Sequence, residues 1–262
     1  MVVDFVSTDY GYLRSRDGKC SARRLFKAGK NRDGYFTNTE ILEQVKEAME
    51  IVKESYPDDN HLFIYDNATT HLKRADDALS ACKMPKFPSE TWGIEVNKLH
   101  PDGKQVFTDD GKYAKTKIRV GDGTFNGAPQ SFYFPEGHDK AGWFKGMATI
   151  LEECGFANAS RLKAQCKDFK CAKGATSCCC HRILYEQPDF MNVKSVLKAM
   201  CEAEGFRVMF LLKFHCDLNP LEQCWGYAKH VYHMCPASSK EEDLEKNVIY
   251  SLESIPLTSI RR

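Results

Sequence analysis

Leu62-Phe63-Ile64-Tyr65-Asp66-Asn67 is the stretch whose reading decides the fold. Its apolar run is continuous and too short for a helix, so it reads as a buried strand with Asp66-Asn67 at its carboxyl end. Upstream, a helix starts near Asn38, where Thr37 and Glu40 have capping-box spacing. Ile41, Leu42, Val45, Ala48, Met49 and Val52 form its apolar stripe, and Pro57 ends it. Earlier still, two short strand-like runs, residues 1–6 and 23–27, flank a turn at Asp9-Tyr10-Gly11 and read as a hairpin. Hairpin, helix and strand in that order indicate an α/β or α+β domain.

Downstream, the texture changes. From about residue 84 to 140, Gly, Pro and Asp punctuate short runs such as Lys117-Ile118-Arg119-Val120 and Ser131-Phe132-Tyr133-Phe134, which predict loops and short strands. Helical periodicity returns over 143–153 and 193–203, with a group of cysteines between. Gly205 closes the second helix, and residues 206–212 read as another buried strand. The turn Cys216-Asp217-Leu218-Asn219-Pro220 opens a last helix with the stripe Leu221, Trp225, Ala228, Val231 and Tyr232.

Composition narrows the class. The 262 residues are 42% hydrophobic and 28% charged, which excludes collagen-like and disordered chains. The apolar run 208–212 stops at Lys213, too short to cross a membrane, so no membrane partner is expected. Asp4 interrupts the N-terminal apolar residues, so no signal peptide is read there. Lys and Arg number 37 against 36 acids, a net charge of +1, so a nucleic-acid partner has to be argued from local patches. Five of the 12 cysteines fall between Cys166 and Cys180; the rest are scattered and read as buried thiols in a reducing compartment.

Two carboxylates stand out. Asp66 ends one buried strand, and Glu222 lies in the first turn of the helix after the next. Ligands of open α/β sheets gather at carboxyl ends of strands, where paired acids hold Mg²⁺ or Mn²⁺ for phosphodiester chemistry. The structural alternatives are local: Asp66 and Asn67 capping a turn, and Glu222 as the third residue of a helix with Asn219 as N-cap and Pro220 at its first position.

The surrounding residues add a resemblance. Phe63-Ile64-Tyr65-Asp66-Asn67-Ala68-Thr69-Thr70-His71 resembles the second-aspartate strand of mariner-type DDE transposases, with its apolar-Asp-Asn-Ala-x-x-His pattern. Asp217-Leu218-Asn219-Pro220-Leu221-Glu222-Gln223-Cys224-Trp225 is similar to the same family's Asp-Leu-Asn-Pro-Ile/Leu-Glu-x-x-Trp block. The wider pattern resembles a fungal subgroup with a cysteine-bearing insertion. The resemblance implies an RNase H-like mixed sheet with flanking helices, interrupted by an inserted subdomain. It implies metal-dependent DNA strand cleavage and transfer, Asp66 and Glu222 as second and third acids on Mg²⁺ or Mn²⁺, and Asn67, His71, Asp217 and Asn219 near the site. Transposon-end DNA as partner, a homodimer and nuclear residence follow from it.

Two departures qualify the expectation. Asp66 and Glu222 are 156 positions apart, so a core of residues 1–83 and 191–262 is expected to enclose an insertion at 84–190. The first acid is not evident. One reading has the chain begin after it; the competing reading makes Asp4 that acid. A chain of the first kind is expected to retain a binding role with little or no cleavage.

The segment 166–181 is a second constellation: Cys166-x4-Cys171-x6-Cys178-Cys179-Cys180-His181. Thiolates and imidazole at such spacing suit tetrahedral Zn²⁺, with Cys166, Cys171, one of Cys178, Cys179 and Cys180, and His181 as the expected ligands. Charge is also uneven. Residues 12–35 hold eight basic residues against two acids, and 161–182 six against one. Either stretch suits a phosphate backbone, with Arg14, Arg16, Arg23, Arg24, Lys27 and Lys30 the leading DNA contacts.

Overall fold

The computed structural model describes residues 1–29, 31–101 and 104–261. The chain is mixed α/β. In order it forms β1 (Val2–Val3), β2 (Val6–Ser7), β3 (Gly11–Tyr12), β4 (Arg24–Leu25), α1 (Asn38–Ser55), β5 (Leu62–Tyr65), β6 (Ile94–Asn97), β7 (Lys115–Ile118), β8 (Gly123–Phe125), β9 (Ala128–Gln130), α2 (Met147–Glu153), α3 (Cys180–Tyr185), α4 (Pro188–Met191), α5 (Val196–Ala203), β10 (Arg207–Phe210), α6 (Pro220–Met234), α7 (Glu241–Glu253) and α8 (Leu257–Ile260). These fall into two compact units, one of Met1–Lys73 with Ser195–Arg262 and one of Arg74–Lys194.

In the first unit, the N-terminal run is broken where a single strand was expected. Asp4 turns its carboxylate inward, leaving β1 to pair antiparallel with β4 and β2 with β3. β5 and β10 pair in parallel, Leu62 opposite Arg207 and Tyr65 opposite Phe210. Every sheet among the described residues is two-stranded, so no continuous larger mixed sheet forms there. β5 also corrects the expectation of a strand buried on both faces. Phe63 is buried against Phe5 and Phe206, while Ile64 is 49% exposed on the opposite face. Strand side chains alternate faces, and the helical cover lies on Phe63's side.

That cover is α1 and α5. Thr37 accepts from the Thr39 amide, and Glu40 returns a carboxylate to the Thr37 amide, the reciprocal cap the sequence predicts. Ile41, Val45, Ala48, Met49 and Val52 then bury against Phe63, Leu197, Cys201 and Val208. Gln44, buried in that face, donates to the Ala22 carbonyl. α5 starts three residues later than its periodicity suggests, because Ser195 Oγ accepts from the Lys198 amide and sets the boundary at Val196. α6 starts as predicted, with Asn219 Oδ1 accepting from the Leu221 amide and Pro220 at the first position. α7, which the sequence reading did not anticipate, packs Leu252 into a cluster with Tyr12, Cys224, Ala228 and Ile260.

In the second unit, β6 pairs with β7 and β8 with β9, both antiparallel. Phe132, Phe144, Met147, Ile150, Leu151, Ile183, Leu184 and Phe190 make its core. Helix was expected from residue 143, but α2 begins at Met147. Phe144 instead bridges Ser89 and Tyr133 in extended conformation. Gly146 then takes φ +83°, with the Phe87 carbonyl carbon only 2.5 Å from where a Cβ would sit, so only glycine fits the corner. No helix among the described residues is long and apolar enough to cross a membrane.

Candidate metal centre

Cys166 enters the short 3₁₀ turn Lys167–Phe169, whose Asp168 and Phe169 both adopt left-handed φ, +51° and +56°. Two successive left-handed residues fold the chain back sharply, so that Cys171 returns toward Cys166. A second reversal, with Gly174 at φ +78°, leads to Cys178 and Cys179. There the chain is anchored: the amides of Cys180 and His181 donate to the carbonyls of Lys163 and Ala164.

The result is a group of four thiols. The sulfurs of Cys166, Cys171, Cys178 and Cys179 all lie within 4.8 Å of one another, and Cys166 Sγ is 3.6 Å from Cys178 Sγ. Zn–S bonds of about 2.3 Å in a tetrahedron require sulfurs roughly 3.5–4 Å apart. Cys179 is fully buried and the other three partly so. The thiols are electrostatically unequal. Arg182 bonds the Cys171 sulfur and, with the Cys178 thiol, holds its pKa below the usual thiol range. Cys178, hydrogen-bonded to Cys171, is pushed up to about 12. Cys166 Sγ donates to Cys178 Sγ, so the thiols are already linked to one another through sulfur. This donor set, four soft sulfurs within 4.8 Å of one another, can hold a metal ion.

Two expected ligands are corrected. Cys180 is the first residue of α3, and the change of direction carries its side chain into the core, where Sγ donates to the Ala159 carbonyl. His181 turns its ring edge-on to Phe169, centroids 5.0 Å apart, and burial with the Arg182 charge lowers its pKa. Neither stands with the four thiols. Cys179 takes the fourth place; of three consecutive cysteines, the sequence could not say which two precede the helix start.

The carboxylate constellation is different. Asp66 follows the last residue of β5, and its Oδ1 accepts from the Ala68 amide and lies 2.6 Å from His71 Nδ1. Asn67 donates to the Leu211 carbonyl, tying the ends of the two parallel strands together. Asp66, Asn67 and His71 are thus brought together. Glu222 lies exposed in the first turn of α6, with Asp217 and the cap Asn219 just before it. Asp4 is captured elsewhere: its Oδ2 lies 2.5 Å from Arg23 Nε and its Oδ1 accepts from the Phe5 amide, while burial raises its pKa against the pull of Arg23. Among the described residues, the four cysteines are the only group of three or more His, Cys, Asp or Glu ligands gathered this closely. Two hard cations need oxygen ligands from about three carboxylates, and no group of three carboxylates gathers within 4.8 Å among the described residues.

The basic residues near the N-terminus are also otherwise engaged. Arg14 and Arg23 pair with Glu253, Arg24 with Glu47, and Lys27 with Glu241 and Glu245. Arg16 lies over the Tyr56 ring. Lys30 lies outside the described residues. The charge surplus counted along 12–35 is thus largely offset in space, by acids of the adjacent α1 and of α7 far away in sequence. Glu253 is the residue the sequence reading missed; the triplet Glu241-Glu242-Asp243 followed by Leu244, Val248 and Leu252 was the available signal for its helix.

Comparison of the chain with protein-family models, with curated proteins and with solved structures finds no match.

Proposed function

We propose that this chain is a DDE-transposase-type, RNase H-like domain that works as a DNA-binding protein with a zinc-held module, and that by itself it cleaves DNA little or not at all. The observation that carries the proposal is the parallel register of β5 and β10. It aligns the Asp66-Asn67 end of one strand with the end of the strand that leads into the Asn219-capped helix bearing Glu222. This register supports the motif resemblance, and the separate compact unit Arg74–Lys194 supports the insertion expected over 84–190. Zn²⁺ is the metal we assign to the four thiols, since four sulfurs at tetrahedral reach suit it better than an oxygen-seeking ion. Bound there, it supplies a cross-link rather than chemistry. Action on transposon ends, pairing into a homodimer and nuclear residence belong to the same reading.

Low cleavage follows from the carboxylates. Asp66 is already partnered by His71, Glu222 has no third acid beside it among the described residues, and Asp4 is neutralised by Arg23. A nicking assay on supercoiled DNA with Mg²⁺ or Mn²⁺ tests this. Wild type should match Asp66→Ala and Glu222→Ala at background. Robust nicking by wild type that both substitutions abolish would overturn it.

A further inference from the structure

The segment around the four thiols carries cations that its own unit does not offset. Arg161, Lys163, Lys167, Lys170 and Lys173 are all exposed, and among the described residues none is ion-paired. Arg182 alone is engaged, by Glu186 and the Cys171 sulfur. Asp168 is the single acid in the segment. Zn²⁺ on four thiolates carries a net charge of −2 by formal count, less than the five free cations supply. An aromatic ring stands among them: Phe169 lies between Lys167 and Lys170, is 47% exposed, and is held there by its left-handed backbone and the edge contact with His181. Cations interleaved with an accessible aromatic face match a polyanion that carries flat bases.

We propose that the surface formed by Arg161, Lys163, Lys167, Phe169, Lys170 and Lys173 docks a DNA strand, its phosphates on the lysines and a base against Phe169. This rests on the DNA-binding reading above but moves the contact from the N-terminal arginines to the cysteine-bearing segment. The metal site and the DNA site are then one device. Between Cys166 and Cys179 the only regular element is the single 3₁₀ turn Lys167–Phe169, so the four-sulfur cross-link is what fixes the lysines relative to one another.

The test is fluorescence anisotropy on the full chain with a labelled 20-nucleotide single strand and the matching duplex, over a salt series. Wild type is compared with Lys167→Gln/Lys170→Gln/Lys173→Gln, with Arg24→Gln/Lys27→Gln and with Phe169→Ala. The triple variant should bind both DNAs at least about tenfold more weakly at low salt, with the log–log salt slope shallower by about 2–3. Arg24→Gln/Lys27→Gln should stay within about threefold of wild type, because those side chains already spend their charge on acids. Phe169→Ala should weaken the single strand about fivefold or more, with an unchanged salt slope. A triple variant within twofold of a binding wild type would overturn this surface and leave the DNA-binding reading standing. A wild type that binds neither DNA would overturn both. Arg24→Gln/Lys27→Gln losing as much as the triple variant would return the contact to the N-terminal stretch, and an unaffected Phe169→Ala would remove the aromatic contact.

Discussion

The two basic stretches of this chain look alike on paper and differ in space. Residues 12–35 carry the larger surplus, yet Arg14, Arg23, Arg24 and Lys27 meet Glu253, Asp4, Glu47, Glu241 and Glu245. Residues 161–182 carry slightly less, but five of their six cations are exposed without an ion-pair partner among the described residues. The difference lies in what each stretch is packed against. The first is folded against helices whose exposed faces are acidic, so its arginines act as internal ties. The second is wound around sulfur, with one acid of its own. Charge counted along a chain says little about a surface until the partners brought in by folding are known.

Several perturbations bear on this contrast. The largest effect should come from the metal. Purified chain should hold about one equivalent of zinc, and Cys179→Ser less than about a tenth. Structural zinc sites contribute apparent binding free energies of ~10–16 kcal/mol in small modules, so chelation should expose the amides of 161–182 to rapid hydrogen exchange. Exchange in the buried middle of α1, around Val45 and Ala48, should stay slow. Zinc retained by Cys179→Ser but lost in Cys180→Ser would reverse the ligand assignment.

Arg23→Ala should follow in size. Removing it leaves the Asp4 carboxylate buried without its cation, a loss of about 3–5 kcal/mol for a buried pair. Denaturant unfolding measures this, and zinc content should not change. The double variant Asp4→Leu/Arg23→Met should recover much of the loss; no recovery would mean that the pair is more than a mutual neutralisation.

Cys180→Ser comes next, at about 1–3 kcal/mol for placing a hydroxyl in an apolar core. It should keep its zinc, which separates it from Cys179→Ser. Thr37→Ala should cost about 1 kcal/mol through the lost helix cap, again without effect on metal.

The smallest effect is a pH dependence. Burial by itself raises the Glu253 carboxyl, but the hydrogen bonds and charges of Arg23 and Arg14 together hold it below its ordinary value. A depressed carboxylate adds stability above its unfolded pKa and loses it as pH falls through the folded one. Melting temperature should therefore drop between about pH 5 and about pH 3, and drop less steeply in Glu253→Gln. Parallel curves for the two chains would show that the tie is not formed in solution.

Sequence by itself determined the local structure wherever short-range chemistry suffices. The cap Thr37 with Glu40, the stripe from Ile41 to Val52 and the Asn219-Pro220 start of α6 all depend on neighbours a few residues apart. It also indicated that Cys166 and Cys171 would gather with a member of the run 178–180. Tertiary structure alone decided the rest, because each remaining question turned on a distant partner. Where α3 begins sends Cys179 to the sulfur group and Cys180 to the core. Phe144 bridging Ser89 and Tyr133 delays α2, and helices covering one side of β5 leave Ile64 in the open. Glu253, 230 positions from Arg23, turns a basic stretch into an internal tie. A periodic pattern records which face of an element is apolar; it does not record which charge will arrive opposite it, since that pairing exists only once the chain has closed over long sequence separations.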